Sequence, residues 1–579
     1  MKKVGKVLLW IFAVFGFLVF LTIIIIASSF PAKKKVDIKP NSWLELTLEG
    51  EHRDYNVYKN VMFFQEDASI SEICRKIDKA KNDDKIKGIL LKPEFFTMGW
   101  AFTQELRQHL QQFQKAGKKV VSHIDMTGDR GYYLASVSDK IYLNPSVSAG
   151  LALTGIGAEI NYYKGFLDKI GIEFTVLHQG KYKGTGEIMA RKNMSDPMRE
   201  SLSAVFDDLY SAYTEGCATS RNLTRKEFRE VMEDREEYLI SSHKAIEYGL
   251  VDDLLQGQEV NEKALNNDPV VDFADYSESV SGVMADKVAI LYAQGNIVRN
   301  DQRRFLNGDY RSITEKKISQ QLDIINKMES VKALVLRVNS GGGSDLVSKN
   351  ILNRLEEINK KMPLVVSMGS VAASGGYMIS SHADYIVAEP TTLTGSIGVV
   401  ALLPNWQELR EKAEINTETI YKGKFAGFLS PNFTPTSEEI KSLNMELEKV
   451  YDSFKNIVHE GRDMSMQKVE TIAQGRIWSG QDAVRYGLVD TLGGLTTAVK
   501  KAAALAQMKD YSELILPQPK TLLDLIMEGN GPFQIMSKLN LFSLLEESPL
   551  FEIWQQEPLL KNFLEDPIQT ILPYDLQIN

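Results

Sequence analysis

The stretch Ser374–Pro390, SGGYMISSHADYIVAEP, has a partner 245 positions earlier, Asp129–Pro145, DRGYYLASVSDKIYLNP. Laid over one another, Gly131-Tyr132 meets Gly376-Tyr377, Asp139 meets Asp384 and Pro145 meets Pro390. Outward toward the N-terminus, Gly50 in LTLEG falls on Gly295 in LYAQG, and Lys87 in IKGILLKP on Lys332 in VKALVLRV. Toward the C-terminus the offset shortens. Gly180 in HQGKYKG meets Gly423 in YKGKFAG, and AIEYGLVDDL (Ala245–Leu254) meets AVRYGLVDTL (Ala483–Leu492). Collinear agreement over so many blocks marks a duplication, with copies near 46–280 and 281–515.

Each copy alternates short apolar runs with amphipathic stretches. ALVLRV and PLVVSM read as strands buried on both faces of a parallel sheet. SKNILNRLEEINKK has helical spacing, and the second half of each copy is richer in helix, as in SEEIKSLNMELEKVYDSFKNIVHEGR. The pattern predicts an α/β fold of tandem duplicated domains. Residues 516–579 have no counterpart in the first copy; their apolar residues, Leu522, Leu523, Leu525 and Ile526 among them, are expected to pack on the domain.

The 579 residues are 44% hydrophobic and 25% charged, which fits large cores, and the net charge of −9 argues against nucleic acid as a partner. Cys74 and Cys217 are too few for a disulfide scaffold, though one bridge between them is open. The sequence has no zinc-spaced Cys/His cluster, EF-hand loop or HExxH motif, and no cofactor is expected. Val7–Ala27 carries no charge. As a helix it spans roughly 31 Å, enough for one transmembrane anchor and longer than a signal-peptide core. Lys2, Lys3 and Lys6 precede it and Lys33, Lys34 and Lys35 follow, so flanking charge does not set its orientation.

Chemistry concentrates in the second copy. Asn339-Ser340-Gly341-Gly342-Gly343-Ser344 follows a strand, where glycines let backbone N–H groups face a cleft; a plain turn is the bland alternative. Ala372-Ala373-Ser374-Gly375-Gly376-Tyr377 follows the next strand, where a serine at a strand-to-helix turn can project its hydroxyl toward helix N–H donors. Small residues there also serve close packing. A serine nucleophile needs a base. Of the histidines only His382 and His459 follow it, and His382 is expected on the same helix, past its first turn and out of reach. A lysine is the other known partner; burial must then lower its pKa by roughly three units from about 10.4. Composition alone does not choose the lysine, but the copies compare usefully. The first has Asp129 at Ser374, Arg130 at Gly375, and Phe95, Phe96, Thr97 and Met98 opposite the glycine run. Lys183 in its GKYKG falls opposite Ala426.

With RVNSGGGS, AASGGYMIS, LTGSIGV and GKYKG together, the chain resembles the long form of the signal peptide peptidase A family over almost its whole length. The resemblance implies tandem ClpP/crotonase-like domains and a Ser-Lys dyad without metal, with Ser374 as nucleophile and Lys183 as general base. Ser396 would orient the lysine, and backbone N–H groups of Gly342 or Gly343 and of Gly375 would bind the oxyanion. It implies a single-pass protein of the bacterial cytoplasmic membrane whose catalytic part faces outward. Its substrates would be residual signal peptides and similar apolar peptides, and it would form a homo-oligomer, a tetramer by preference. Gly341 replaces the family's usual proline, and Gly184-Thr185-Gly186-Glu187 adds glycines after the base, so both loops are expected to be looser. The alternatives are a crotonase-type acyl-CoA enzyme or a membrane scaffold without catalysis. The first does not explain the anchor, and the second would erode both copies.

Overall fold

The computed structural model describes residues 37–57, 67–276, 286–300, 312–519 and 568–572. The run Val7–Ala27 and the apolar residues Leu522 to Ile526 lie outside them. Among the described residues no helix is long and apolar enough to cross a membrane.

In the first copy β1 (Ser42–Glu51), α1 (Ile70–Lys81), β2 (Ile86–Thr97), α2 (Trp100–Lys115), β3 (Lys119–Ile124), α3 (Asp129–Ala135) and β4 (Lys140–Leu143) follow in order. The strands pair in parallel as β1-β2-β3-β4, with Val270–Asp272 beside β1 and Asp253–Leu254 beside β4. Helix α1 shows why the alternation folds this way. Ile70, Ile73, Cys74, Ile77 and Ala80 form one buried stripe, and Ser69 caps it by accepting from Glu72 N. Beyond the sheet lie β5 (Glu173–Gln179) and the long helix α4 (Asp196–Ser220).

The second copy repeats the plan. It contains β6 (Lys287–Gln294), β7 (Val331–Ser340), β8 (Gly342–Ser344), α5 (Asp345–Asn359), β9 (Leu364–Ala373), the four-residue α6 (Gly375–Met378), β10 (Leu393–Gly395), β11 (Val399–Asn405), α7 (Ser437–Gly461) and β12 (Ser512–Leu516). Its parallel order is β12-β6-β7-β9, then Tyr385–Ala388 and Thr491–Leu492, matching the first sheet strand for strand. Duplicated residues make duplicated bonds. Asp139 accepts from Val120 N and Asp384 from Leu364 N, both at 2.9 Å. Tyr132 Oη donates to Leu250 O at 2.9 Å and Tyr377 Oη to Leu488 O at 3.0 Å.

Three features join the copies. First, β5 of the first copy pairs antiparallel with β11 of the second, from Gln179↔Val399 to Glu173↔Asn405. The second copy's own counterpart of β5, residues 416–422, is exposed and forms neither helix nor strand. Second, an apolar cluster gathers Trp100, Met198 and Tyr213 with Ala373, Leu393 and Ile477. Third, Arg337 on β7 is 1% exposed. It donates to Asp54 Oδ2 at 2.9 Å, Glu105 Oε2 at 2.6 Å and Ser367 Oγ at 2.7 Å. Removing one partner of such a buried ionic network strands the remaining charge, at a cost of about 3–5 kcal/mol. The two cysteines are free and lie in different clusters, Cys74 among the α1 apolar residues and Cys217 on α4.

One more strand, β13 (Ile568–Ile571), comes from the C-terminal extension and lies antiparallel between β8 and β11. It completes a sheet ordered Ser312–Ile313, Asn296–Ile297, β8, β13, β11, β5, in which both copies and the extension take part.

Candidate active site

Strand β9 ends at Ala373, and α6 begins at Gly375, so Ser374 is the single residue of the turn. Its φ is +55° with ψ −118°, a conformation that costs a non-glycine residue about 1–3 kcal/mol. The surrounding glycines are required by close approach. A Cβ on Gly376 would stand 2.5 Å from Ser340 O, and one on Gly375 2.6 Å from Ser348 Oγ. The turn is held by Ser374 N donating to Gly395 O at 2.8 Å.

Lys183 enters from the first copy. Its turn is clamped by the second: Tyr182 N donates to Gln474 O at 2.7 Å, and a Cβ on Gly475 would stand 2.6 Å from Lys183 Cβ. Lys183 Nζ lies 2.7 Å from Ser374 Oγ and 3.0 Å from both Ser396 O and Ser396 Oγ. Lys183 is 1% exposed, and Ser374 and Ser396 are fully buried. All the amine's bonding partners are neutral oxygens. Burial therefore holds Lys183 well below a lysine's ordinary pKa. The fold thus brings both Ser374 and Ser396 within hydrogen-bond reach of Lys183 Nζ.

The glycine loop borders the same point. Gly342 and Gly343 have φ of +102° and +152°. Gly342 N already donates to Ser340 Oγ at 3.1 Å. The carbonyl oxygen of Thr570 on β13 lies against this loop: a Cβ on Gly342 would stand 2.2 Å from it and 2.6 Å from Gly375 N. A Cβ on Gly375 would stand 3.1 Å from the same oxygen.

Several expectations change. The loop after Lys183 is pinned rather than loose. Gly186 has φ +90°, a Cβ on Gly184 would stand 2.8 Å from Met198 Sδ, and Thr185 is buried with its hydroxyl donating to Ile571 O at 2.9 Å. Gly341 O accepts from Leu572 N at 2.6 Å, so that loop is also tied. His382 is not on the helix of Ser374, because α6 ends at Met378. Its Nε2 lies 2.8 Å from Ile457 O and its Nδ1 2.5 Å from Glu356, on the side of α5 and α7. At the matching turn of the first copy, Asp129 accepts from Thr154 N and Gly155 N at 3.1 Å, which fills the place with a capped carboxylate. Ala426, opposite Lys183, lies in an exposed turn. Sequence reasoning missed Thr185, the Gln474–Gly475 clamp and Thr570. Thr185 lay two residues from a named lysine and so carried a signal, whereas Thr570 lies in a run too short to stand out.

The model of "Peptidase family S49" matches residues 112–270 and 356–509. Serine protease SPPA, chloroplastic, of Arabidopsis thaliana is 30% identical over 529 residues, 88% of this chain and 76% of that protein. Protease 4 of Haemophilus influenzae is 29% identical, over 85% of this chain and 83% of its own length. Protease 4 of Salmonella typhi is 31% identical, over 80% and 76%. One family segment falls in each copy, and the relatives span both copies. The chain therefore belongs to Peptidase family S49, as a serine-type peptidase of the long, protease 4 form.

Proposed function

We propose that Ser374 is the nucleophile of this peptidase and Lys183 its general base. The observation that carries this is a buried lysine amine that, among the described residues, bonds no carboxylate and lies 2.7 Å from the hydroxyl of a serine held in a strained turn. Neutral Lys183 accepts the proton of Ser374 Oγ as the oxygen attacks the scissile carbonyl carbon. Ser396 accepts from the amine and aims its lone pair at Oγ. The N–H groups of Gly343 and Gly375 receive the oxyanion, Gly342 N–H being engaged with Ser340. Protonated Lys183 passes its proton to the leaving amine, and water then hydrolyses the acyl-enzyme.

The substrates on this reading are extended apolar peptides such as signal-peptide remnants, bound as a strand beside β8 and β11. The support is that β13 lies there in extended form with Ile571 among Leu167, Phe174, Val400 and Leu402. The uncharged run Val7–Ala27 supports a membrane anchor; a catalytic part outside the cytoplasm and a ClpP/crotonase-like pair of domains assembled as a tetramer follow from the family resemblance and belong to the same reading. A fluorophosphonate probe tests the chemistry on wild type, Ser374→Ala and Lys183→Ala. Labelling of the wild type alone is expected. Labelling that persists in Ser374→Ala overturns the nucleophile, and full labelling of Lys183→Ala overturns the base.

A further inference from the structure

We propose that Arg476 is a positioning residue of the peptidase site, fixing through Tyr182 the backbone from which Lys183 reaches Ser374. The inference rests on the reading of Lys183 as the base. Residues 474–476 lie between the helix Met466–Ile472 and the short strand Ile477–Ser479 of the second copy. On one side they hold the turn of the lysine: Tyr182 N donates to Gln474 O at 2.7 Å and Lys181 N to Gln474 Oε1 at 3.1 Å. On the other side they hold the serine that orients the amine: Gly475 N donates to Ile397 O and Ser396 N to Arg476 O, both at 2.7 Å. Gln474 has φ +54°, and its own N donates to Tyr451 Oη on α7 at 3.1 Å, so this strained turn is itself anchored.

The side chain of Arg476 extends this grip to the residue beside the base. Its guanidinium lies 4.8 Å from the ring centres of both Tyr182 and Trp478. Nη1 donates to Tyr182 Oη at 3.1 Å and to Glu200 Oε1 on α4 at 2.8 Å, and Tyr182 Oη donates to the same carboxylate oxygen at 3.0 Å. The Glu200 side chain is half-exposed, so that ion pair alone contributes little; the contact that matters is the flat cation on the Tyr182 ring. A lysine carries its amine on a flexible four-carbon stem, so the place of the amine depends on how firmly its backbone is held. Arg476 holds Ser396 through its carbonyl and the neighbour of Lys183 through its side chain, and so sets both contacts of the amine from one residue. At the matching place in the first copy, counted back from the paired AIEYGL and AVRYGL blocks, stands Tyr238, which is 72% exposed. That copy has Asp129 at its turn and no serine to serve.

The test compares Arg476→Met and Arg476→Lys in the full chain, with thermal melting as the check on folding. The quantity measured is the rate of fluorophosphonate labelling at Ser374 across pH. Arg476→Met should label about 10- to 100-fold slower. Its pH midpoint should also move up, toward the ordinary lysine value of 10.5. Loss of the Arg476 charge, the unpaired Glu200 left behind and water admitted beside Tyr182 all favour the protonated amine. Lys181, 3.8 Å from Glu200, and Glu470, which accepts from Gln474 Nε2, face the same turn and are unchanged. Arg476→Lys keeps the charge but not the flat group against two rings, so it should be slow as well, and it decides the matter if the Met variant does not fold. A full rate in Arg476→Lys overturns the proposal. In the double variant Tyr182→Ala/Arg476→Met, labelling should be no slower than in the slower single variant, because both changes remove one contact; additive losses overturn the proposal. A lower melting temperature with the wild-type rate and midpoint does so too, leaving Arg476 a structural residue. Full labelling of Lys183→Ala overturns the base reading instead, so the two fail separately.

Discussion

Lys183 Nζ stands 2.7 Å from Ser374 Oγ within one chain, although 191 residues separate them. Each comes from a different copy, and neither copy holds a second pair: Asp129 occupies the first copy's turn, and Ala426 replaces the lysine in the second. The pair therefore needs no second chain. Mixing inactive Lys183→Ala chains with inactive Ser374→Ala chains, refolded or co-expressed, should restore no probe labelling or peptide cleavage. Recovery of part of the wild-type signal would show a site shared between chains.

The buried amine sets the pH dependence. Its pKa lies well below the ordinary lysine value of 10.5 because burial disfavours the charged form. Below that lowered pKa the amine is protonated and cannot accept the hydroxyl proton. The labelling rate should thus fall as pH drops through it and level off above it, with a midpoint well under 10.5. Lys183→Arg, protonated at every usable pH, should not label. A flat profile in the wild type is the outcome that contradicts the assignment.

Ser396 touches the amine through both its hydroxyl and its carbonyl, each at 3.0 Å. Ser396→Ala keeps the carbonyl contact and loses the other, leaving the amine freer to swing away from Oγ. Displacements of this kind cost on the order of 10- to 100-fold in rate. The loss should fall on kcat for a peptide substrate, with KM little changed. A rise in KM alone would make Ser396 part of the binding surface instead.

The backbone at Ser374 provides a stability test. At φ +55° and ψ −118° a side chain is strained, and glycine is not. Ser374→Gly should melt higher than Ser374→Ala by about 1–2 kcal/mol in stability, while both remain inactive. Calorimetry of the two inactive proteins reads this without interference from activity.

The duplication and the strand-to-helix turn at Ser374 were legible because they rest on local pattern: matched blocks, and Gly375 and Gly376 where side chains would collide; Lys183 was named through the family resemblance, and the structure sets it 2.7 Å from Ser374 Oγ. The pairing of β5 with β11 was not legible. Both runs are apolar enough for strands, but the partner of residues 173–179 is chosen by the packing of one copy on the other. The short α6 was read as longer because the residues after Met378 are compatible with helix; the chain instead turns so that Asp384 can bond Leu364 N. Ile568–Leu572 was read only as part of an extension, because five residues give too little periodicity to stand out.

The sheet that surrounds Ser374 draws strands from 173–179, 342–344, 399–405 and 568–571. These lie far apart along the chain, and during synthesis they emerge in that order. The lysine is present long before the serine, and the serine before the strand that walls its cleft. A nascent or truncated chain ending before Asn405 has no closed cleft in which to cut. Timing is thereby written into the topology: the serine is made before the cleft that activates it can close, so no cutting site exists until synthesis has passed Asn405.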